Sequence, residues 1–195
     1  MNETEGNFMI CPLFSCRNNV LQKYDLQKGK HMITISEAIM KMIDESHGSQ
    51  HDICHFLKVW AYAKNIGEQE GIDAQTQQTL EFAAIVHDIA CPYLRKEYGH
   101  SPHDLQEKYG GPMAREFYKD TGMSDEMLER ICYLVSHHHT FTNVSGLDYR
   151  ILLEADFLVN AGENEKYRNF VDKFRQNVFR TKTGITLLDS MYSKS

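Results

Sequence analysis

No apolar run in the 195-residue sequence approaches the roughly 20 residues that a membrane span needs, so a membrane-embedded protein is not expected. Positive charge is in short supply: 21 Lys and Arg stand against 27 Asp and Glu, a formal net charge of -6. That balance argues against a broad nucleic-acid surface, although it leaves room for a local basic pocket. Strand signals are nearly absent, with few alternating apolar runs and no Asn-Gly hairpin turn. The first twenty residues lack a basic segment and carry only a short apolar stretch, which does not match a signal peptide. The cysteines at 11, 16, 54, 91 and 132 are odd in number and scattered. That fits a reducing, cytoplasmic setting better than a disulfide framework. Cys11 and Cys16 have no second pair nearby to complete a structural zinc site. Neither repeats nor low-complexity segments occur.

What remains is a chain of ordinary globular composition, long enough for one domain with a real core. Its pattern predicts helix after helix. Thr34 and Glu37 form a capping box that opens a helix ending near Gly48. Ser49 caps the next, with Ile53, Leu57, Trp60 and Ile66 as its apolar stripe and Gly71 as its end. Asp73 opens a third helix, which runs through "LEFAAIVHDIA" until Pro92 stops it. A loop rich in Tyr, Gly, His and Pro follows, and Pro112 is read as the first residue of another helix. Ser124 and Asp148 open two more, and an amphipathic helix carrying Tyr167, Phe170, Val171, Phe174 and Val178 comes last. The expectation is an all-α bundle of six to eight helices over residues 31–183. An irregular arm (1–30) precedes it and a tail (184–195) follows.

Ten histidines stand out against this background. The dipeptide His-Asp occurs at 51–52, 87–88 and 103–104, so by itself it means little. The pair at 87–88 differs because it follows the apolar run "LEFAAIV". Two polar groups in such a place need partners, since an unpaired buried carboxylate costs several kcal/mol. A divalent cation between them would satisfy both; so would ordinary hydrogen bonds at a helix end. Asp156 repeats the anomaly inside "LLEADFLVN". His51 and His55 lie one turn apart on one helix face, with Lys58 on the next turn. His51 is equally readable as a solvated helix-start residue and Lys58 as a surface cation. The run His137-His138-His139 ends a helix, where histidines can simply favour the dipole. Imidazoles and carboxylates on several helices can also assemble a metal site in a bundle core.

His55, His87-Asp88 and Asp156, in that order on successive predicted helices, resemble the HD-domain superfamily of metal-dependent phosphohydrolases, especially its small bacterial single-domain members. The segments "HDICHFLKVWAYAKNIGEQEG", "LEFAAIVHDIA" and "ILLEADFLVNAGE" are similar to that family's motif helices. The resemblance covers about residues 34–162. It implies that His55, His87, Asp88 and Asp156 ligate one divalent ion, with manganese, iron, cobalt, nickel, zinc and magnesium all compatible. It further implies a phosphomonoester or nucleotide as substrate. Asp88, Lys58 and His51 are then the residues expected to act on it: Lys58 on the phosphate, His51 through a hydrogen bond.

Two departures matter. Dinuclear branches place a histidine before a glycine in the middle helix, where "LQEKYGGPMA" offers only Glu107. Glu107, His137 and His138 are therefore the expected residues for a second ion or for substrate phosphate. The "GYP" signature of cyclic-di-GMP phosphodiesterases is replaced by "FTNVSG", which argues against that substrate. Two other roles stay open: a non-catalytic or regulatory nucleotide-binding module, and an iron-dependent oxygenase. The missing middle-helix histidine counts against the oxygenase. A second copy of the chain is retained as a candidate partner, in a homodimer.

Overall fold

The computed structural model describes residues 32–192. The expected arm at 1–30, with Cys11 and Cys16, lies outside the described residues. The architecture is all-α, with no strand among the described residues. In order the helices are α1 (Ile35–Glu45), α2 (Gln50–Glu70), α3 (Ala74–Val86), α4 (Cys91–Tyr98) and α5 (His103–Phe117). They are followed by α6 (Asp125–Val135), α7 (Leu147–Glu163), α8 (Glu165–Arg168), α9 (Val171–Asn177) and α10 (Lys182–Tyr192). Seven of these have eleven or more residues; α4, α8 and α9 are short. None is long and apolar enough to cross a membrane.

Local chemistry sets most helix starts. Thr34 and Glu37 close the capping box reciprocally. Ser49, Asp73 and Ser124 each accept a backbone N–H from the first turn they open, which satisfies donors that the helix itself cannot. Gly71 ends α2 in the left-handed region, at φ 69°, where a side chain would be strained.

Two helices form the centre. Residues 79–86 of α3 and 151–159 of α7 are buried without interruption, the mark of helices enclosed on all sides. α2 packs against both, α6 against α3 and α5, and α1 against α3. Phe82 and Tyr118 meet edge to face at 5.5 Å, and the Tyr118 hydroxyl donates to the Phe82 carbonyl at 2.8 Å. Burying each such side chain contributes roughly 1.5–3 kcal/mol.

Five expectations are corrected. Helix α3 ends at Val86, so His87 and Asp88 sit in the turn that follows rather than inside a helix continuing to Pro92. Pro92 starts α4 instead of stopping α3; its missing N–H costs nothing in a first turn. Pro112 lies inside α5, not at its start. There Gly110 and Gly111 press on α6: a Cβ at Gly111 would come 3.1 Å from the Cys132 carbonyl oxygen. The last amphipathic helix is broken into α8 and α9. The expected tail is largely α10, which packs on α2, α7 and α9 and buries Leu188.

Candidate metal centre

α2 presents one face to the site. His51 and Asp52 stand four and three residues before His55, and Lys58 three after it. The turn after α3 contributes His87 and Asp88, and α7 contributes Asp156 one residue past its middle. The residues come from far apart in sequence, and the packing of α2 against α3 and α7 joins them.

Four side chains converge. His55 Nε2 lies 3.2 Å from His87 Nε2, 3.4 Å from Asp156 Oδ1 and 3.6 Å from Asp88 Oδ2. His87 Nε2 lies 3.4 Å from Asp156 Oδ1 and 3.8 Å from Asp88 Oδ2. For ligand bonds of roughly 2.1 Å, neighbouring ligands around an ion stand about 3.0–3.4 Å apart, and the observed separations are of that order.

The hydrogen bonds on the far side of each ring decide what the near side can do. His55 Nδ1 faces Glu163 Oε2 at 2.8 Å, His87 Nδ1 faces the Ala84 carbonyl at 2.9 Å, and His138 Nδ1 faces the Val135 carbonyl at 2.7 Å. Each partner is an acceptor, so each Nδ1 carries a proton. Three Nε2 lone pairs then turn inward toward two carboxylates. Asn160 Nδ2 donates to Asp156 Oδ1 at 2.8 Å; the rest of the cluster has acceptors and no donors, and it needs either a cation or extra protons. The donor set thus fits a divalent metal ion.

With protons alone, the groups shift as this picture requires. Burial opposes the charged form of His55, but Asp156, Asp88 and Glu163 raise its pKa to about 9. Burial likewise opposes ionisation of Asp156 and Asp88, yet the neighbouring histidines hold both carboxyls below the usual carboxylate range. Burial also works against charge on His138, and Asp88 overcomes it.

Asp88 extends the site. Its Oδ1 lies 3.0 Å from His138 Nε2 while its Oδ2 faces His55 and His87. Asp88, His138 and His139 form a second group with metal-ligand spacing. His139 is kept neutral, its pKa pushed down to about 2 by burial and by its neighbour His138. Its Nε2 meets Gln106 Oε1 at 2.7 Å, and its ring stacks on His103 at 3.8 Å. His103 in turn contacts the Tyr167 hydroxyl at 3.0 Å, which completes one wall.

The remaining expected residues divide. Lys58 is half-exposed and donates to Glu163 Oε1 at 2.9 Å. His51 is largely exposed, hydrogen-bonds Asp52 at 3.3 Å and lies parallel to the His55 ring. His137 is a correction: its ring stacks on Tyr133 at 4.2 Å and its Nδ1 donates to the Tyr133 carbonyl, away from the cluster. Successive residues of a helical turn point about 100° apart, so of the three histidines only 138 and 139 reach Asp88. Glu107 is also taken up elsewhere. Its oxygens accept the His139 N–H at 3.0 Å and the Thr140 hydroxyl at 2.9 Å, bracing the turn after α6.

Sequence reasoning missed Glu163 and, within the histidine run, favoured His137 over His139. Glu163 closes the quoted segment "ILLEADFLVNAGE" seven residues, two turns, after Asp156, and that spacing was the available signal. It also missed the buried Asp52, which pairs with Arg95 of α4.

Comparison with known proteins agrees with this geometry. The HD domain family model matches residues 52–168, more than half of the chain. No curated protein and no solved structure gives a significant match.

Proposed function

We propose that this chain, which belongs to the HD domain family, is a metal-dependent phosphohydrolase that cleaves a phosphomonoester or a nucleotide phosphate bond. One observation carries the reading: the inward Nε2 atoms of His55 and His87 lie 3.2 Å apart, and each stands 3.4–3.8 Å from a carboxylate oxygen of Asp88 and of Asp156. These four side chains would hold the ion. Bound there, it supplies Lewis-acid polarisation of the phosphoryl oxygen and lowers the pKa of a coordinated water.

The protein's own groups do the rest. Asp88 keeps one oxygen on His138 and turns the other to the ion site, so its orientation is fixed from both sides. Lys58, half-exposed one turn from His55, offers an ammonium to substrate phosphate. His51 offers an exposed imidazole on the same face. Histidine-rich ligation favours manganese, iron, cobalt, nickel or zinc over magnesium.

The test is phosphate release from a panel of nucleotides and sugar phosphates, with each divalent metal, by wild type and Asp156→Ala. Metal-dependent release by wild type alone is expected. Stoichiometric nucleotide binding without turnover would replace the enzyme with a regulatory module. The group Asp88, His138 and His139 favours one second reading, a two-ion oxidation. Substrate-dependent oxygen uptake with iron, and no phosphate release, would establish it.

A further inference from the structure

The three inward-facing histidines are not supported alike. His87 and His138 each donate Nδ1–H to a neutral carbonyl three residues earlier in their own chain segment. His55 alone donates to a charged group, Glu163, brought from another helix 108 residues away. The same carboxylate uses its other oxygen to hold Lys58. Glu163 is the last residue of α7 and its side chain is one-fifth exposed, so it sits where the site meets solvent. A carboxylate behind a ligating imidazole fixes the tautomer and makes the outer nitrogen a stronger donor. A carboxylate beside a lysine fixes where the ammonium stands.

We propose that Glu163 is a positioning residue that tunes His55 as a metal ligand and sets Lys58 at the mouth of the site. One side chain thereby serves both the ion and the substrate phosphate. The inference rests on the metal site proposed above and goes beyond its four ligands. The competing account is a surface ion pair with Lys58 that happens to touch His55. Such pairs contribute little to stability and nothing to metal affinity.

Titration calorimetry of manganese(II) into the full-length chain separates the two. Glu163→Ala is expected to weaken manganese binding about 10–100-fold. Lys58→Met, which removes the ion pair but leaves the His55 contact, is expected not to weaken it. Inorganic phosphate binding to the manganese-loaded protein should fall in both variants. Glu163→Gln keeps the size and one neutral acceptor, so its manganese affinity should lie between wild type and the alanine variant. Wild-type manganese affinity in Glu163→Ala, or in Glu163→Gln should the alanine variant not fold, would overturn the proposal. So would an equal loss in Lys58→Met. Absence of manganese binding by wild type would instead sink the metal site itself, before any variant is compared.

Discussion

Asp156→Asn changes the charge at the centre of the cluster and almost nothing of its shape. Consider first the protein held in chelator. There His55 has its pKa raised from 6.5 to about 9, with Asp156 the largest raising influence against burial. The folded state therefore binds that proton more tightly than the unfolded chain does. The stabilisation is fully present below about pH 6.5 and is lost as pH rises through about 9. The whole shift corresponds to about 3 kcal/mol. Asp88 and Glu163 supply part of it, so about 1–2 kcal/mol is assigned to Asp156. The depressed pKa of Asp156 is the same attraction seen from its other end and is counted once. Urea denaturation in chelator, followed by circular dichroism, should show Asp156→Asn least stable relative to wild type near pH 6. The deficit should shrink toward pH 9 and can reverse above it, where neutral His55 leaves Asp88 and Asp156 to repel. Adding metal should stabilise wild type by mass action, about 2.7 kcal/mol at a hundredfold excess over Kd, and leave the variant unmoved. A deficit independent of pH, or equal metal in both proteins by elemental analysis, would refute the four-donor site.

Three further outcomes can be checked. Asp104→Ala should retain wild-type metal content, since Asp104 is exposed in the first turn of α5 although it belongs to a His-Asp pair. His138→Ala should lower turnover or the occupancy of a second ion, whereas His137→Ala should leave both unchanged; the reverse result would show that the turn after α6 has another register. Glu154→Ala should lower stability by about 2–4 kcal/mol with metal content intact. Glu154 accepts the Arg180 and Thr181 N–H groups and the Thr181 hydroxyl, and thermal unfolding beside elemental analysis would show whether those two effects separate.

Glu154 also shows how far a linear reading reaches. It lies two residues from Asp156, inside the same uninterrupted buried stretch of α7. By local pattern the two carboxylates are equivalent. Residues 180 and 181 answer Glu154, and histidines 55 and 87 answer Asp156. Only the resemblance to known motifs distinguished them beforehand. Glu81 is a third case, a buried carboxylate of α3 answered by Trp60, Lys64 and Gln77.

The sequence by itself determined what depends on neighbours along the chain. Helical periodicity, the caps at Thr34, Ser49, Asp73 and Ser124, and the spacing of His51, His55 and Lys58 on one face are local properties, and the structure carries each of them. The motif order His55, His87-Asp88, Asp156 is local in the same sense, three short segments each readable alone. Tertiary structure decided what depends on contacts across the chain. It turned "CPYLRKEY" from a loop into α4 by burying Cys91 and Leu94. It carried α5 through Pro112 by packing two glycines on α6. It chose His138 and His139 over His137, and it brought Glu163 behind His55. Side-chain direction at a helix end changes by about 100° per residue, and one residue of uncertainty in register exchanges a side chain that reaches Asp88 for a ring stacked on Tyr133.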